Sequence, residues 1–196
     1  MNHNKGKRFP PEPLSKDEVL SLMGACSRRC PTGLRDRALI AVLWRGSLRI
    51  SEALALKPAD LDRDACTLRV LHGKGDKARL CVIDQGTVEV LTAWLDARRA
   101  LGVNGNVVIF CTLKGKPISS AQIREMLPRR AKKAGIEKRC HAHGLRHTGA
   151  SELAEENTPI LEIAAQLGHS NVATTARYIH ALNPVARIAR LSSREW

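Results

Sequence analysis

The chain has 196 residues, of which 43% are apolar, so it is long enough to form a single globular domain with its own core. Its 32 Lys and Arg residues outnumber 19 Asp and Glu residues, which gives a formal net charge of +13. This excess indicates a polyanionic partner, and nucleic acid is the natural candidate. Because no apolar run approaches the roughly 18 residues that a transmembrane helix needs, a membrane-spanning role is excluded.

The first residues and the cysteines indicate where the protein works. Residues 1–14 are polar and punctuated by prolines, which predicts a flexible leader and no secretory signal, and therefore a cytoplasmic protein. The six cysteines are expected to be reduced thiols in that compartment. Cys26 and Cys30 are one helical turn apart, but no Cys-x-x-Cys pair occurs, so we predict no structural metal.

Capping signals and apolar spacing predict most of the helices. Ser15 to Glu18 has the form of a capping box, and apolar residues at helical spacing extend a first helix to about Arg29. Pro58 is expected to stop a helix that precedes it. The other predicted helices span Arg35–Trp44, Ile50–Leu56, Thr87–Leu101, Ser119–Ala134, Gly144–Glu155, Pro159–Leu167 and Val172–Ala181.

Three β-rich runs complete the prediction. Thr67–Leu71 and Ala78–Ile83 flank a turn-forming segment, residues 72–77, and this arrangement predicts a β-hairpin that carries Lys74. Val107–Cys111 is a short candidate strand. The predicted fold class is therefore α+β and mainly helical, with a small antiparallel sheet, over residues 15–182.

Positive charge is concentrated in residues 112–147, which hold ten Lys and Arg residues against two acids. A solvated helix face is the ordinary explanation of such a run, but the imbalance of sign favours contact with phosphates. The six aromatic residues of the chain are too few for a platform that stacks single-stranded bases, so duplex DNA is the predicted partner. The predicted DNA-contacting residues are Lys77, Arg79, Arg129, Arg130, Lys132, Lys133, Lys138 and Arg139.

The chain contains one tyrosine, Tyr178, nine residues after His169. A phenol loses its proton only near pH 10, so it attacks phosphorus only where cations and a proton acceptor surround it. Taken alone, Tyr178 is better explained as a half-buried packing residue.

Five segments, in this order along the chain, carry a resemblance to a known family. They are Leu48-Arg49-Ile50-Ser51-Glu52-Ala53-Leu54, Gly73-Lys74-Gly75-Asp76-Lys77-Ala78-Arg79, His143-Gly144-Leu145-Arg146-His147-Thr148, Leu167-Gly168-His169-Ser170 and Tyr178. Over roughly residues 13–182 the chain resembles the catalytic domain of the tyrosine recombinases, the phage integrase family. The resemblance implies six catalytic residues: Arg49, Lys74, His143, Arg146, His169 and Tyr178.

The residue types suit the chemistry that the resemblance implies. Tyr178 would attack a phosphodiester, while the guanidiniums of Arg49 and Arg146 hold the non-bridging oxygens of the transition state. Lys74 would protonate the leaving 5′-oxygen. His143 would accept the phenolic proton or hold its acceptor, and His169 would donate a hydrogen bond to a phosphoryl oxygen.

Two further residues have supporting roles in this prediction, and two features depart from the family's pattern. Glu52, one helical turn after Arg49, would orient that arginine, and His147 is expected beside the site. Ser47 stands where a glycine is usual. The helical core-binding domain of about 100 residues that usually precedes this one is absent from the chain, which predicts weak, salt-dependent binding to a DNA half-site.

The expected function is site-specific cutting and rejoining of duplex DNA through a covalent 3′-phosphotyrosine intermediate, without a metal or other cofactor. The family implies a homo-tetramer on DNA and a Holliday junction, with a monomer expected without DNA, and accessory DNA-bending proteins are left open. The tail, residues 183–196, has apolar residues at helical spacing and is expected to pack on a neighbouring protomer or on its own domain. A relaxing type IB topoisomerase and a non-catalytic DNA-binding module remain alternatives.

Overall fold

Helices dominate the computed structural model, which describes residues 13–71, 78–105, 107–169 and 171–176. The α-helices are α1 Lys16–Gly24, α2 Pro31–Trp44, α3 Ile50–Ala55, α4 Gln85–Ala100, α5 Ser120–Lys133, α6 Ala142–Glu155 and α7 Ile160–Leu167. Residues 172–176 are also helical. The strands are β1 Leu61–Asp62, β2 Thr67–Val70 and β3 Arg79–Val82, and a 3₁₀ turn, Pro58–Asp60, precedes β1. The predicted fold class, mainly helical with a small antiparallel sheet, is confirmed.

The two predicted capping boxes start α1 and α5. Ser15 accepts a hydrogen bond from the backbone N–H of Glu18 at 3.2 Å, and the Glu18 carboxylate accepts from the N–H of Ser15 at 2.7 Å. Ser119 and Gln122 make the same reciprocal pair at the start of α5. Each box satisfies backbone donors that the first helical turn leaves without a partner.

The first helix is shorter than predicted. It ends at Gly24, whereas the sequence pattern extended it to about Arg29. The Ser27 hydroxyl accepts hydrogen bonds from the backbone N–H groups of Arg29, at 3.1 Å, and Cys30, at 3.2 Å. A side-chain acceptor of this kind competes with helical bonding and turns the chain toward Pro31, the first residue of α2.

The sheet contains the predicted hairpin. Strands β2 and β3 pair antiparallel, with Thr67 opposite Val82 and Val70 opposite Arg79. The strand β1, which the sequence did not predict, pairs with β2 on its other side and gives the order β1-β2-β3. The connecting residues 72–77, which include Lys74 and Lys77, lie outside the described residues.

The predicted strand at Val107–Cys111 is wrong. Its one ladder contact is an isolated bridge between Cys111 and Pro117. The segment is instead a buried connection whose polar groups bond to other elements. Ile109 donates its N–H to the Leu56 carbonyl at 2.6 Å and accepts from the indole N–H of Trp94 at 2.8 Å. An apolar run therefore signalled burial rather than sheet pairing.

The helix α2 forms the centre of the core and packs against both α4 and α6. Its residues 38–44 are all buried, as expected of a helix that is apolar on every side. Leu14 also belongs to the core and its carbonyl accepts from the Thr148 hydroxyl at 3.0 Å, so the chain joins the core one residue before the predicted domain boundary. In the described part of the chain, no helix is long and apolar enough to cross a bilayer.

Candidate active site

The turn between α2 and α3 presents Arg49. Ser47 adopts a left-handed backbone conformation, with φ of 49°, which reverses the chain after α2. Its hydroxyl donates to the Trp44 carbonyl at 3.1 Å, and this local bond helps to offset the cost of that conformation. Arg49 then precedes α3 with extended dihedral angles, and its side chain remains 28% exposed. The serine that replaces the usual glycine is therefore accommodated by its own side chain.

Glu52, the buried carboxylate of α3, binds two arginines directly. It accepts from the Arg49 backbone N–H at 2.8 Å and from Arg49 Nη1 at 2.7 Å. Arg79 donates to both carboxylate oxygens, with Nη1 at 3.0 Å and Nη2 at 2.9 Å. Although burial opposes ionisation of Glu52, the hydrogen bonds from Arg79 and Arg49 outweigh it and lower the pKa of the carboxyl to about 2.

The second predicted arginine, Arg146, is buried in the first turns of α6 and 2% exposed. It donates from Nη1 to the Ser47 carbonyl at 2.7 Å and from Nη2 to the Leu167 carbonyl at 2.8 Å. Its Nη1 also lies 3.9 Å from Glu52 Oε2. The turn before α3 and the last residue of α7 therefore hold this guanidinium beside the Arg49–Glu52 pair.

His169 joins the same cluster. Gly168 ends α7 with φ of 63°, the left-handed cap that favours glycine, and the chain then presents His169. Its Nε2 is 3.3 Å from Arg146 Nη2, and its Nδ1 is 2.9 Å from the Thr175 hydroxyl. Because a guanidinium only donates, Nε2 accepts here, so Nδ1 carries the proton and donates to Thr175. Donation to a phosphate through Nε2 requires either a second proton on the ring or the other neutral tautomer, in which Nδ1 accepts from the Thr175 hydroxyl.

Three histidines lie near the start of α6. His141 caps the helix, since its Nδ1 accepts from the Gly144 N–H at 2.7 Å. The partly exposed ring of His143 meets His147 edge to face, with 4.1 Å between centroids. Partial burial, together with the neighbouring charges of Arg146, His141 and Arg49, lowers the pKa of His143. Burial, His143, His141 and Arg146 lower the pKa of His147 to about 4. Both rings are therefore neutral at pH 7, and His143 is able to accept a proton.

The structure thus brings together four of the six predicted catalytic residues, which are Arg49, His143, Arg146 and His169, with Glu52 and His147 beside them. Lys74 and Tyr178 lie outside the described residues. The sequence did not single out Thr175, whose hydroxyl is the hydrogen-bond partner of His169 Nδ1. It also missed the carbonyls that hold Arg146, and no sequence signal marks a backbone acceptor. Among the described residues, no three His, Cys, Asp or Glu side chains are grouped to hold a metal ion.

The predicted DNA-contacting residues fall into two groups. Arg129, Lys132, Lys133 and Arg139 are exposed. Arg79, Arg130 and Lys138 instead pair with carboxylates, Arg130 with Asp36 at 2.7 Å and Lys138 with Glu18 at 3.0 Å. A groove lined by Lys132, Lys138, Arg139, His141 and His143 joins the basic surface to the catalytic cluster. Lys77 lies outside the described residues.

The fold and this cluster define the class of protein. The model of the phage integrase family matches residues 12–183, and the chain belongs to this family. It is 36% identical over 176 residues to the tyrosine recombinase XerC of Xanthomonas axonopodis pv. citri (strain 306), a match that covers 90% of this chain and 56% of the relative. The chain therefore spans little more than half the length of this relative.

Solved structures agree with this assignment. The crystal structure of XerA recombinase superposes with a TM-score of 0.83 and 30% identity, covering 98% of this chain and 69% of that chain. The XerH site-specific recombinase, in a post-cleavage complex with its palindromic difH substrate, superposes with a TM-score of 0.75 and 27% identity, covering 93% of this chain and 53% of that chain. The fold is thus that of the catalytic domain of tyrosine recombinases.

Proposed function

We propose that the chain is the catalytic part of a site-specific DNA recombinase that cuts and rejoins duplex DNA through a covalent 3′-phosphotyrosine intermediate. The observation that carries this proposal is one cluster in which Arg49 and Arg146 lie beside the ionised carboxylate of Glu52 and His169 contacts Arg146. Arginines held by buried carbonyls and a carboxylate are preorganised to bind a phosphate whose charge grows in the transition state. The XerH relative, which was solved with its DNA substrate after cleavage, supports DNA as the substrate here.

The proposed reaction exchanges one phosphodiester for another. The Tyr178 oxygen attacks phosphorus and forms a tyrosyl–phosphate bond, while the bond from phosphorus to the 5′-oxygen breaks. The phenolic proton passes to His143, and Lys74 protonates the leaving 5′-oxygen. The 5′-hydroxyl of another duplex then attacks the phosphotyrosine, releases Tyr178 and restores the backbone. Because the covalent bond retains the energy of the original phosphodiester, rejoining requires no ATP.

The positive charge and exposure of residues beside the cluster also support DNA as the partner. The groove described above brings exposed cations, Lys132 and Arg139, to the edge of the cluster beside His143. Lys and Arg side chains on such a surface bind backbone phosphates regardless of base sequence and orient the duplex. We infer that this groove receives DNA and that four protomers assemble on two DNA sites.

The tail, residues 183–196, lies outside the described residues. Its part in assembly is tested by sedimentation, with and without DNA, of a chain truncated after Asn183.

The experiment that tests the function is trapping of the covalent complex. The DNA site is first mapped by sequencing the junctions formed in cells that express the chain. A nicked duplex carrying that site loses a short 5′-hydroxyl fragment after cleavage, so rejoining fails and protein stays bonded to DNA. We expect a trapped band with the unaltered chain and none with Tyr178→Phe, which retains DNA binding. A trapped band with Tyr178→Phe would contradict the assignment of the nucleophile.

The same assay separates the alternatives. A relaxing topoisomerase would also remove supercoils from a plasmid that lacks the mapped site, whereas the proposed recombinase should leave that plasmid supercoiled. A non-catalytic DNA-binding module would bind the nicked duplex without forming a covalent band.

A further inference from the structure

Arg79, the first residue of β3, faces the interior of the cluster. It is one of the predicted DNA contacts, yet its side chain is 12% exposed and its two terminal nitrogens donate hydrogen bonds to the two oxygens of Glu52. A planar guanidinium that binds a carboxylate through two parallel hydrogen bonds has its direction fixed. The donors of Arg79 therefore point at Glu52 rather than at solvent.

The two hydrogen bonds from Arg79 complete the hydrogen bonding of the Glu52 carboxylate. A carboxylate has about four lone-pair positions, two on each oxygen. Oε1 accepts from Arg49 Nη1 and Arg79 Nη1, and Oε2 accepts from the Arg49 N–H and Arg79 Nη2, at 2.7–3.0 Å. The carboxylate is therefore saturated by these two arginines, and Arg146 approaches Oε2 no closer than 3.9 Å.

Arg79 is also fitted against the end of α7. Its Nε donates to the Gln166 carbonyl at 3.3 Å. Gly168 lies against the guanidinium so closely that a Cβ added there would be 2.7 Å from Arg79 Cζ and Nη1. Gly168 directly precedes His169, so one side chain touches both Glu52 and the turn that presents the active-site histidine.

We propose that Arg79 is a positioning residue for the arginine pair and not a phosphate contact: by occupying Glu52, it keeps Arg146 on the carbonyls of Ser47 and Leu167. This inference rests on the proposed function. If Arg79 is removed, two lone-pair positions on Glu52 open next to Arg146. A charged hydrogen bond to a buried carboxylate competes well with one to a carbonyl, so Arg146 moves toward Glu52 and away from the position that receives phosphate.

The consequence is a loss of cleavage rate without a loss of binding. A displacement of about 1 Å in a catalytic group costs on the order of 10²-fold in rate. We therefore expect Arg79→Gln to lower the single-turnover cleavage rate at saturating DNA by about 10²-fold. The dissociation constant and its dependence on salt should stay unchanged. A phosphate contact would behave differently, since its loss would weaken binding and reduce the salt slope by about 1.

Arg69→Gln is the matched control. Arg69 lies in the neighbouring strand β2, its side chain is 54% exposed, and it pairs with Asp60 at 3.4 Å. This variant removes the same charge from the same sheet without touching Glu52. We expect it to leave the cleavage rate within about twofold, because the exposed guanidinium of Arg69 pairs with Asp60, outside the catalytic cluster.

A double-mutant cycle shows whether Arg79 acts through Glu52. In a Glu52→Gln background no carboxylate remains to attract Arg146, so Arg79→Gln should add less than about threefold to the loss of cleavage rate. The double variant also leaves no unpaired buried carboxylate, so it can be measured if Arg79→Gln alone fails to fold. Arg79→Lys, which retains the charge but cannot form the two parallel bonds, should fall between the unaltered chain and Arg79→Gln.

The outcomes separate this inference from the proposed function. If the unaltered chain forms no covalent complex on the mapped site, the proposed function fails. If it does, an undiminished rate in Arg79→Gln, weakened binding with a smaller salt slope, or a full 10²-fold effect in the Glu52→Gln background would each overturn the inference about Arg79.

Discussion

Replacing Glu52 by glutamine tests the electrostatic centre of the site. The carboxylate is 4% exposed and its pKa is lowered from 4.5 to about 2, which corresponds to about 3 kcal/mol of stability at 1.36 kcal/mol per pH unit. The substituted side chain would place an amide nitrogen against a guanidinium and leave three arginines without their shared anion. A loss of about 3 kcal/mol also matches the usual cost of breaking a buried ion pair.

The assay is urea unfolding at pH 7, with thermal unfolding beside it. We expect Glu52→Gln to lower the free energy of unfolding by about 3 kcal/mol and the melting temperature by about 10 °C. Asp96→Asn is the control, because Asp96 forms an exposed i,i+3 pair with Arg99 at 3.1 Å. Removing that pair should change the free energy of unfolding by less than about 1 kcal/mol.

The pH dependence of stability gives a second, independent test of the role of Glu52. The folded-state pKa of Glu52 is lowered, so its contribution is fully present above about pH 4.5 and is lost as the pH falls toward 2. The difference in stability between the unaltered chain and Glu52→Gln should therefore shrink across that window. A difference below about 1 kcal/mol at pH 7, or one that stays constant from pH 5 to pH 3, would refute the assignment of Glu52 as the ionised centre.

Three further predictions follow from the site. Arg146→Ala should lower covalent cleavage of the mapped site by 10² to 10³-fold, on the order of one transition-state donor, and quantifying the trapped band against time measures this. The unaltered chain should lose stability as the pH falls from 6.5 toward 4, because the unfolded state takes up a proton that the folded His147 does not. His147→Gln should flatten that part of the profile in urea unfolding. Ser47→Gly relieves a left-handed serine but deletes its bond to the Trp44 carbonyl, so the free energy of unfolding should change by less than about 1 kcal/mol.

Local signals in the sequence predicted most of the elements. Capping boxes at Ser15 and Ser119 fix where α1 and α5 begin, because they act within one helical turn. The β-rich runs on either side of residues 72–77 predicted the hairpin for the same reason. The wrong predictions arose where tertiary contacts determine the local structure. Residues 107–111 are as apolar as a strand, but the core hydrogen-bonds them to other elements instead of to a sheet.

The site was predictable in its residues but not in its contacts. The order of the motifs along the chain predicted that Arg49, Arg146 and His169 belong to one active site. Nothing in the sequence indicated that Arg79 would turn inward, since charged residues on strands are usually solvated. Its pairing with Glu52 depends on how β3 meets α3 and α7, and that is a property of the assembled fold.

The arrangement also explains how a basic site keeps a neutral proton acceptor. Arg49, Arg79 and Arg146 surround one carboxylate, so the cluster retains a net positive charge even though Glu52 is fully ionised at pH 7. That excess charge complements the negative charge that gathers on the phosphoryl oxygens during attack. It also disfavours protonation of His143, whose pKa is lowered by partial burial and by Arg146, His141 and Arg49. The cations that would stabilise the transition state thus also keep His143 able to accept the nucleophile's proton at neutral pH.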